Sequence, residues 1–392
     1  MKLQNFITNI AAAFVMILGA SCSSPKPEPH DAPEFYDLSA YDEVKVGDIL
    51  EVAEVVPLLF ERDTYPKYPE IISFLGDTLI IEEGDEMVHV FAPDGHYIGC
   101  SNDMKGEGPG EYVMHIGHIA NPFNNTIDVL SVRATLSYDP EFTHCVNESK
   151  LPTSITETSS WLYDEGIALS ESKYLLHSRT ATTPYKVTLY DAESGTALNT
   201  WSYADDVLSY FGSGRQRFFK MPDGEILLVP TAFTPYIYGV DSDGRDMYKA
   251  IEFKYGDKII KDHVTLDDFY KNPNIWKEYY ENSSIEIPFD RLVNSKKVVT
   301  IIEVGPDYSR DRYLLLTDRG SGHTYRVETT EDDNVIFPSL YYIDENYLYN
   351  ILTKEHIDEN PRCLLNKESE ADSLIRNHDE DDFFLIKYRF KK

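Results

Sequence analysis

Residues 76–99 read GDTLIIEEGDEMVHVFAPDGHYIG, and the fold follows from how this stretch is built. A polar turn opens it, a short apolar run follows, a polar gap separates a second apolar run, and APDG turns the chain into a third. Runs rich in β-branched and aromatic residues, bounded by Gly, Asp and Pro, read as strands joined by hairpins. The arrangement returns as NNTIDVLSVRATLSYDPEFTHC (124–145), ESKYLLHSRTATTPYKVTLYDAESGTAL (171–198) and DGEILLVPTAFTPYIYGVDSDGRDMY (223–248), with starts separated by 48, 47 and 52 residues. Weaker copies start at Asp311 (DRYLLLTDRGSGHTYRVETTEDD) and Asp344 (DENYLYNIL). Self-similarity at this period marks propeller blades. Six units therefore predict an all-β fold: a six-bladed β-propeller of four-stranded antiparallel blades, with short helical insertions.

An open row of blades would expose unpaired backbone at both ends, which ring closure avoids. The apolar stretches ILEVAEVVPLLF (49–60) and FFLIKYRF (383–390) lie near the two ends of the repeats. They are expected to complete one shared blade, closing the propeller with N- and C-terminal strands.

Outside the repeats, the N-terminus has its own logic. The apolar run IAAAFVMILGA (10–20) leads into Ser21 and Cys22, which predicts a signal peptide over residues 1–21. The run is too short to span a bilayer. A cysteine directly after GAS resembles the bacterial lipoprotein box, which implies acylation of Cys22. SSPKPEPHDAPEF follows, proline-rich and polar without periodicity, and is expected to begin a flexible tether over 22–47, with the propeller over 48–392. The formal net charge of −31 argues against nucleic-acid binding and against attraction to anionic headgroups. Of four cysteines, Cys100, Cys145 and Cys363 remain after Cys22. This odd number without a CxxC pair allows one disulfide with a free thiol but indicates neither a disulfide scaffold nor a zinc site.

KGEGPGEY (105–112) is rich in glycine but lacks the GxxxxGK[ST] phosphate loop, and Glu107 and Glu111 would repel an anion. It reads as a rigid crossing between blades, in which glycine permits positive φ and Pro109 fixes a torsion. Because propeller loops carry binding groups on a rigid support, Glu111 and Tyr112 are kept as candidate binding residues. His115 and His118 in HIGH resemble a ligand pair, yet on a strand residues three apart face opposite sides and could not share a metal. DSDGRD (241–246) has its glycine too early for a calcium loop and reads as a turn. SESK (170–173) fits SxxK only by spelling. An insertion over about 254–300 holds NPNIWKEYYEN, where Asn272 is expected to cap a short helix presenting Trp276, Tyr279 and Tyr280. That aromatic stripe either packs on a propeller face or borders a ligand cleft. A second helix is expected around 368–376.

The leader with Cys22, the VVPL strand (55–58), the VFAPDGHYIG hairpin (90–99), the GEGPGEY stretch, the blade period and the terminal IKYRFKK together resemble the six-bladed β-propeller lipoproteins of Bacteroidota. In that family the first blade ends in a strand and a glycine turn followed by GxGPGEY. Here Gly106, Gly108, Pro109, Gly110, Glu111 and Tyr112 match it position by position. The resemblance implies a propeller across the mature chain and a lipid anchor in the outer membrane, facing either the periplasm or the exterior. It implies little about activity.

Two functions are compatible with these features. The first is a non-catalytic cell-envelope lipoprotein whose propeller face binds a glycan, a peptide or an envelope protein, without a cofactor. The second is a metal-dependent hydrolase resembling the propeller lactonases, with carboxylates and amides around a divalent cation on the axis. Fold alone does not choose between them; the binding role is the expectation taken forward.

Overall fold

The computed structural model describes residues 32–60, 69–83, 87–131, 134–151, 163, 165–178, 187–202, 217–230, 234–255, 272, 274, 286–304, 311–328, 340–367, 373 and 375–391. The described strands form six sheets. Blade one contains Pro69–Leu75, Thr78–Glu83, Met87–Phe91 and Tyr97–Cys100; blade two contains Gly117–Asn121, Thr126–Leu130, Ala134–Tyr138 and Cys145–Lys150. Blade three runs through Glu165–Ala168, Lys173–His177, Val187–Asp191 and Thr196–Trp201, and blade four through Phe218–Lys220, Ile226–Leu228, Tyr236–Val240 and Met247–Lys254. Blade five comprises Glu286–Val293, Lys297–Val304, Asp311–Asp318 and Thr324–Glu328. In each of these the strands follow chain order and pair antiparallel, the economical result of short turns between consecutive strands. The first strand of each blade is its inner one.

Blade six takes three strands from the C-terminal part, Leu340–Ile343, Tyr347–Thr353 and Phe383–Phe390, and its outer strand, Leu50–Leu58, from the N-terminal part. The junction is antiparallel, with Phe383 opposite Leu58, Leu385 opposite Val56 and Ile386 opposite Val55. Lys387 Nζ meets Glu54 at 2.7 Å on the outer side, and Arg389 Nε donates to Glu51 at 2.9 Å. Val56, Leu58, Phe383 and Leu385 pack in one cluster with Ile72, Ile81 and Phe91 of blade one. The strands that join the chain ends therefore share a core with the blade that starts the repeat.

The hairpin between Met87–Phe91 and Tyr97–Cys100 also fastens this seam. Gly95 has φ of 85°, a conformation that a side chain disfavours. Leu59 N donates to Gly95 O at 2.9 Å, and a Cβ on Gly95 would stand 1.9 Å from Pro57 O.

Two expectations about boundaries are corrected. The tether was placed over 22–47, yet Glu34–Asp37 pairs parallel with Met247–Lys254, and Asp42–Lys45 pairs parallel with Thr324–Glu328. These segments add a fifth strand to blades four and five. Tyr36 and Leu38 are buried, and Glu34 is gripped by Arg319, whose Nη2 and Nε lie 2.7 and 3.0 Å from its two carboxylate oxygens. The insertion was placed over about 254–300, but residues 286–304 already form the first two strands of blade five. The fifth repeat, aligned from Asp311, thus stood one strand out of phase, since Asp311–Asp318 is the third strand of its blade.

The described helices are short. Lys354–Glu359 is capped by Thr353 Oγ1, which accepts from His356 N at 3.2 Å, and a 3-10 segment spans Pro361–Lys367. The second helix was expected further on, around 368–376, a range that lies largely outside the described residues. Among the described residues no helix is long and apolar enough to cross a membrane. Among the described residues, no disulfide joins Cys100, Cys145 and Cys363.

Candidate functional site

The six inner strands meet around a cavity of 270 Å³, and every one of them contributes to its wall. Blade one presents Ser73 and Phe74, blade two His118, blade three Glu165, blade four Lys220, blade five Asn294 and blade six Tyr342. The aromatic side is built from Phe74 and Tyr342, and Tyr349 of the core packs against both, with ring centroids 5.0 to 5.6 Å apart, the tilted and edge-on spacing that aromatic rings favour. Lys220 is exposed, with its ammonium 5.5 Å from the centre of the Phe123 ring.

The acidic groups along the blade three to six side of the wall are engaged with neighbouring chain. Glu165 Oε1 accepts from the backbone N–H groups of Arg217 and Phe218, at 2.5 and 3.3 Å, which ties blade three to blade four. Asp344 Oδ1 accepts from Asn346 N and Tyr347 N, and its Oδ2 accepts from the Tyr349 hydroxyl at 2.5 Å. Burial, and then that carboxylate, push the Tyr349 phenol well above its usual range. Glu345 accepts from Ser295 N at 3.0 Å and from the Ser295 hydroxyl. These bonds tie the inner ends of neighbouring blades and turns together.

A different constellation stands between blades one and two. Glu82, near the end of the second strand of blade one, converges with His115 and His118, their ligand-capable atoms all within 4.8 Å of one another, and all three are buried. His118 Nδ1 is hydrogen-bonded to Glu82 Oε2, and its Nε2 is 2.7 Å from Ser73 Oγ. His115 Nε2 lies 3.8 Å from the same Glu82 oxygen. Neither ring nitrogen of His115 has a hydrogen-bond partner. Burial, with smaller contributions from His118 and Lys105, lowers its pKa to about 3, so its ring is neutral at physiological pH. Among the described residues this is the group in which three side chains of metal-ligating type come together.

The expectation that His115 and His118 face apart is overturned. It rested on strand alternation, but the inner strand of blade two begins at Gly117, so His115 precedes it and the alternation does not extend to it. Ile116 N donates to Leu130 O at 2.9 Å, and Gly117 is already paired with Leu130. The backbone irregularity at that point turns both imidazoles toward Glu82. The HIGH spelling was the available signal, whereas Glu82 could be joined to it only by the packing of blade one on blade two.

The KGEGPGEY stretch is a crossing between blades, as its chemistry predicted. It follows a single 3-10 turn, Ser101–Met104, and is held by Tyr112 N donating to Met104 O and Gly106 N donating to Tyr112 O. Gly110 has φ of 74°, and a Cβ there would press within 2.8 Å of Cys145 Cβ. Glu111 turns its carboxylate back on the loop, accepting from Gly108 N at 2.8 Å. Tyr112 is 1% exposed, in the cluster that joins Ile80, Val88 and Val90 of blade one to Ile127, Val129 and Leu136 of blade two. Its hydroxyl donates to Ser101 Oγ at 3.0 Å, and burial lifts its pKa to about 12. The Tyr112 ring packs between blades one and two, and Glu111 beside it braces its own turn. DSDGRD and SESK are hairpin turns, closed by Gly244 N on Asp241 O and by Lys173 N on Ser170 Oγ. Cys22, Trp276, Tyr279 and Tyr280 lie outside the described residues.

The sequence from 26 to 348 matches the profile of DUF5128, described as a 6-bladed beta-propeller. The chain belongs to this family. Among solved structures it is similar to a candidate exported protein of Bacteroides fragilis, at 17% identity and a TM-score of 0.68, with 92% of this chain and 100% of the other covered. It is also similar to a member of the DUF4221 family from Bacteroides vulgatus, at 10% identity and a TM-score of 0.57, covering 88% and 98% of the two chains. At these identities the likeness is one of fold. No curated protein matches the sequence.

Proposed function

We propose that the chain is a non-catalytic, exported lipoprotein of the cell envelope, anchored through Cys22 to the outer membrane, that binds a small polar ligand in its central cavity. The observation that carries this reading is the cavity itself, whose wall is supplied by all six inner strands. A concave site with an apolar aromatic side and a few placed polar groups is what small-molecule recognition needs. Phe74 and Tyr342 offer rings, while Lys220 adds an exposed ammonium, a combination suited to the stacking and hydrogen bonding of a glycan unit. The volume of 270 Å³ sits at the lower end of ligand sites, so one sugar residue or a short peptide end fits better than an extended polymer.

The leader, the GAS–Cys22 sequence and the likeness to a candidate exported protein support the address. The alternative, a hydrolase resembling the lactonases, draws less support, because Glu165 of blade three and Asp344 and Glu345 of blade six are held by separate neighbours, Arg217, Tyr349 and Ser295.

The test is a thermal-shift and calorimetric screen of the mature protein with mono- and disaccharides and short peptides. A ligand that raises the melting temperature of the wild type should bind at least tenfold more weakly to Lys220→Glu and to Phe74→Leu. Undiminished binding by both variants would place recognition elsewhere and overturn the reading. An intact mass without acyl chains on Cys22 would remove the anchor.

A further inference from the structure

We propose that Glu82, His115 and His118 form a binding site for a divalent transition-metal ion of the zinc class, set in the wall of the central cavity. Two imidazoles and a carboxylate suit zinc and its neighbours better than calcium or magnesium, which favour oxygen donors alone. In a tetrahedral zinc site with bonds near 2.0–2.1 Å, donor atoms stand roughly 3.3 Å apart. The 3.8 Å between His115 Nε2 and Glu82 Oε2, and the 4.8 Å limit on the whole group, require only small side-chain adjustments to reach that spacing.

His115 supplies the independent reason. A buried imidazole usually finds hydrogen-bond partners, and leaving a buried polar group without one is costly. Both nitrogens of His115 are buried without a partner, although Nε2 points at a carboxylate oxygen. A Glu82–His118 hydrogen bond accounts for two members of the cluster and leaves the third unexplained; a cation bound between them accounts for all three.

The surroundings match those of a ligand shell. Ser73 Oγ holds His118 Nε2 at 2.7 Å, which fixes the ring and directs Nδ1 toward Glu82, the orienting contact that metal-bound histidines commonly have. Burial keeps His115 neutral, the form that ligates. Glu82, His118 and Ser73 also line the cavity, so a three-ligand ion there would keep a coordination position facing a bound molecule.

The experiment uses the full chain stripped with EDTA and then titrated with Zn2+ alone and with Co2+ alone. Elemental analysis should find close to one Zn2+ per chain, and Co2+ should develop the visible absorption of a low-coordinate nitrogen and oxygen site. His115→Ala and His118→Ala should each weaken Zn2+ binding at least tenfold, while His96→Ala, an exposed histidine on a blade one turn, should leave it unchanged. X-ray absorption at the zinc edge of the wild type should show imidazole scattering from two histidines, a readout independent of whether the variants fold. Substoichiometric zinc, a zinc shell without imidazole, or a folded His115→Ala protein that binds like the wild type would overturn the proposal. The saccharide and peptide screen is a separate measurement, so failure of either site leaves the other standing.

Discussion

At the scale of single residues, the positions that hold the ring together are set by backbone geometry. Gly95 carries the left-handed turn of the first hairpin against the closing strand, and a methyl group there would meet Pro57 O at 1.9 Å. Gly95→Ala is expected to cost about 2 kcal/mol or more, since a disfavoured φ alone costs about 1–3 kcal/mol; urea denaturation measures it, and an unchanged midpoint would contradict the account. Asp318 offers a pH test. The Lys297 ammonium 2.5 Å away, with help from the Ser321 amide and hydroxyl, holds its carboxyl at about 2, below the ordinary 3.8. A carboxyl lowered on folding contributes stability above its unfolded pKa and loses it as pH falls through the folded one. Lys297→Met should therefore cost up to about 1 kcal/mol at pH 6, a modest figure because the pair is partly solvated, and the difference from wild type should vanish as pH falls from about 4 to 2.

At the scale of elements, four of the repeats were legible because their middle strands are buried on both faces and their turns use Asp and Gly. Ile226–Leu228 announces itself through an unbroken apolar run after Asp223 and Gly224, and Val187–Asp191 through β-branched and aromatic residues that lead into a turn. The inner strands were harder to read. Phe218–Lys220 and Glu165–Ala168 have only three and four residues, too few for a period to register. The edge strands Glu34–Asp37 and Asp42–Lys45 looked like tether for a related reason: they expose charged residues and bury little of their own, as edges that resist further pairing must. The same physics hid the Glu82, His115 and His118 cluster. Strand alternation is a sound rule only where a strand exists, and His115 falls just ahead of one. Truncation separates the two kinds of edge. Removing residues 382–392 deletes an internal strand of blade six and should abolish cooperative unfolding or lower the melting temperature by more than 10 °C. Starting the chain at Asp48 removes the two added edge strands, with Leu38 and Val46 of the core, but no strand inside a blade, and should leave a folded, less stable protein. Equal effects from the two truncations, followed by circular dichroism, would argue against the assignment.

At the scale of the whole molecule, closure and function are linked by geometry. A cavity whose wall draws on all six inner strands exists only while the blades remain in a ring, and the ring is sealed where Leu50–Leu58 pairs with Phe383–Phe390. Nearly all of this architecture could be inferred from the repeat and the two terminal apolar stretches, because burying sheet faces and removing edges leave few solutions. The identity of the cavity wall could not, since it depends on which residue of each inner strand points to the axis. Hydrogen exchange on the full chain tests the seal most directly. The account predicts that the paired amides of Leu50–Leu58 and Phe383–Phe390 exchange together and slowly, at the rate of global unfolding, as expected for strands that open only with the whole body. If either strand exchanged orders of magnitude faster than the central strands of blades two and three, the ends would not be sealing the ring, and the cavity built on that seal would lose its support.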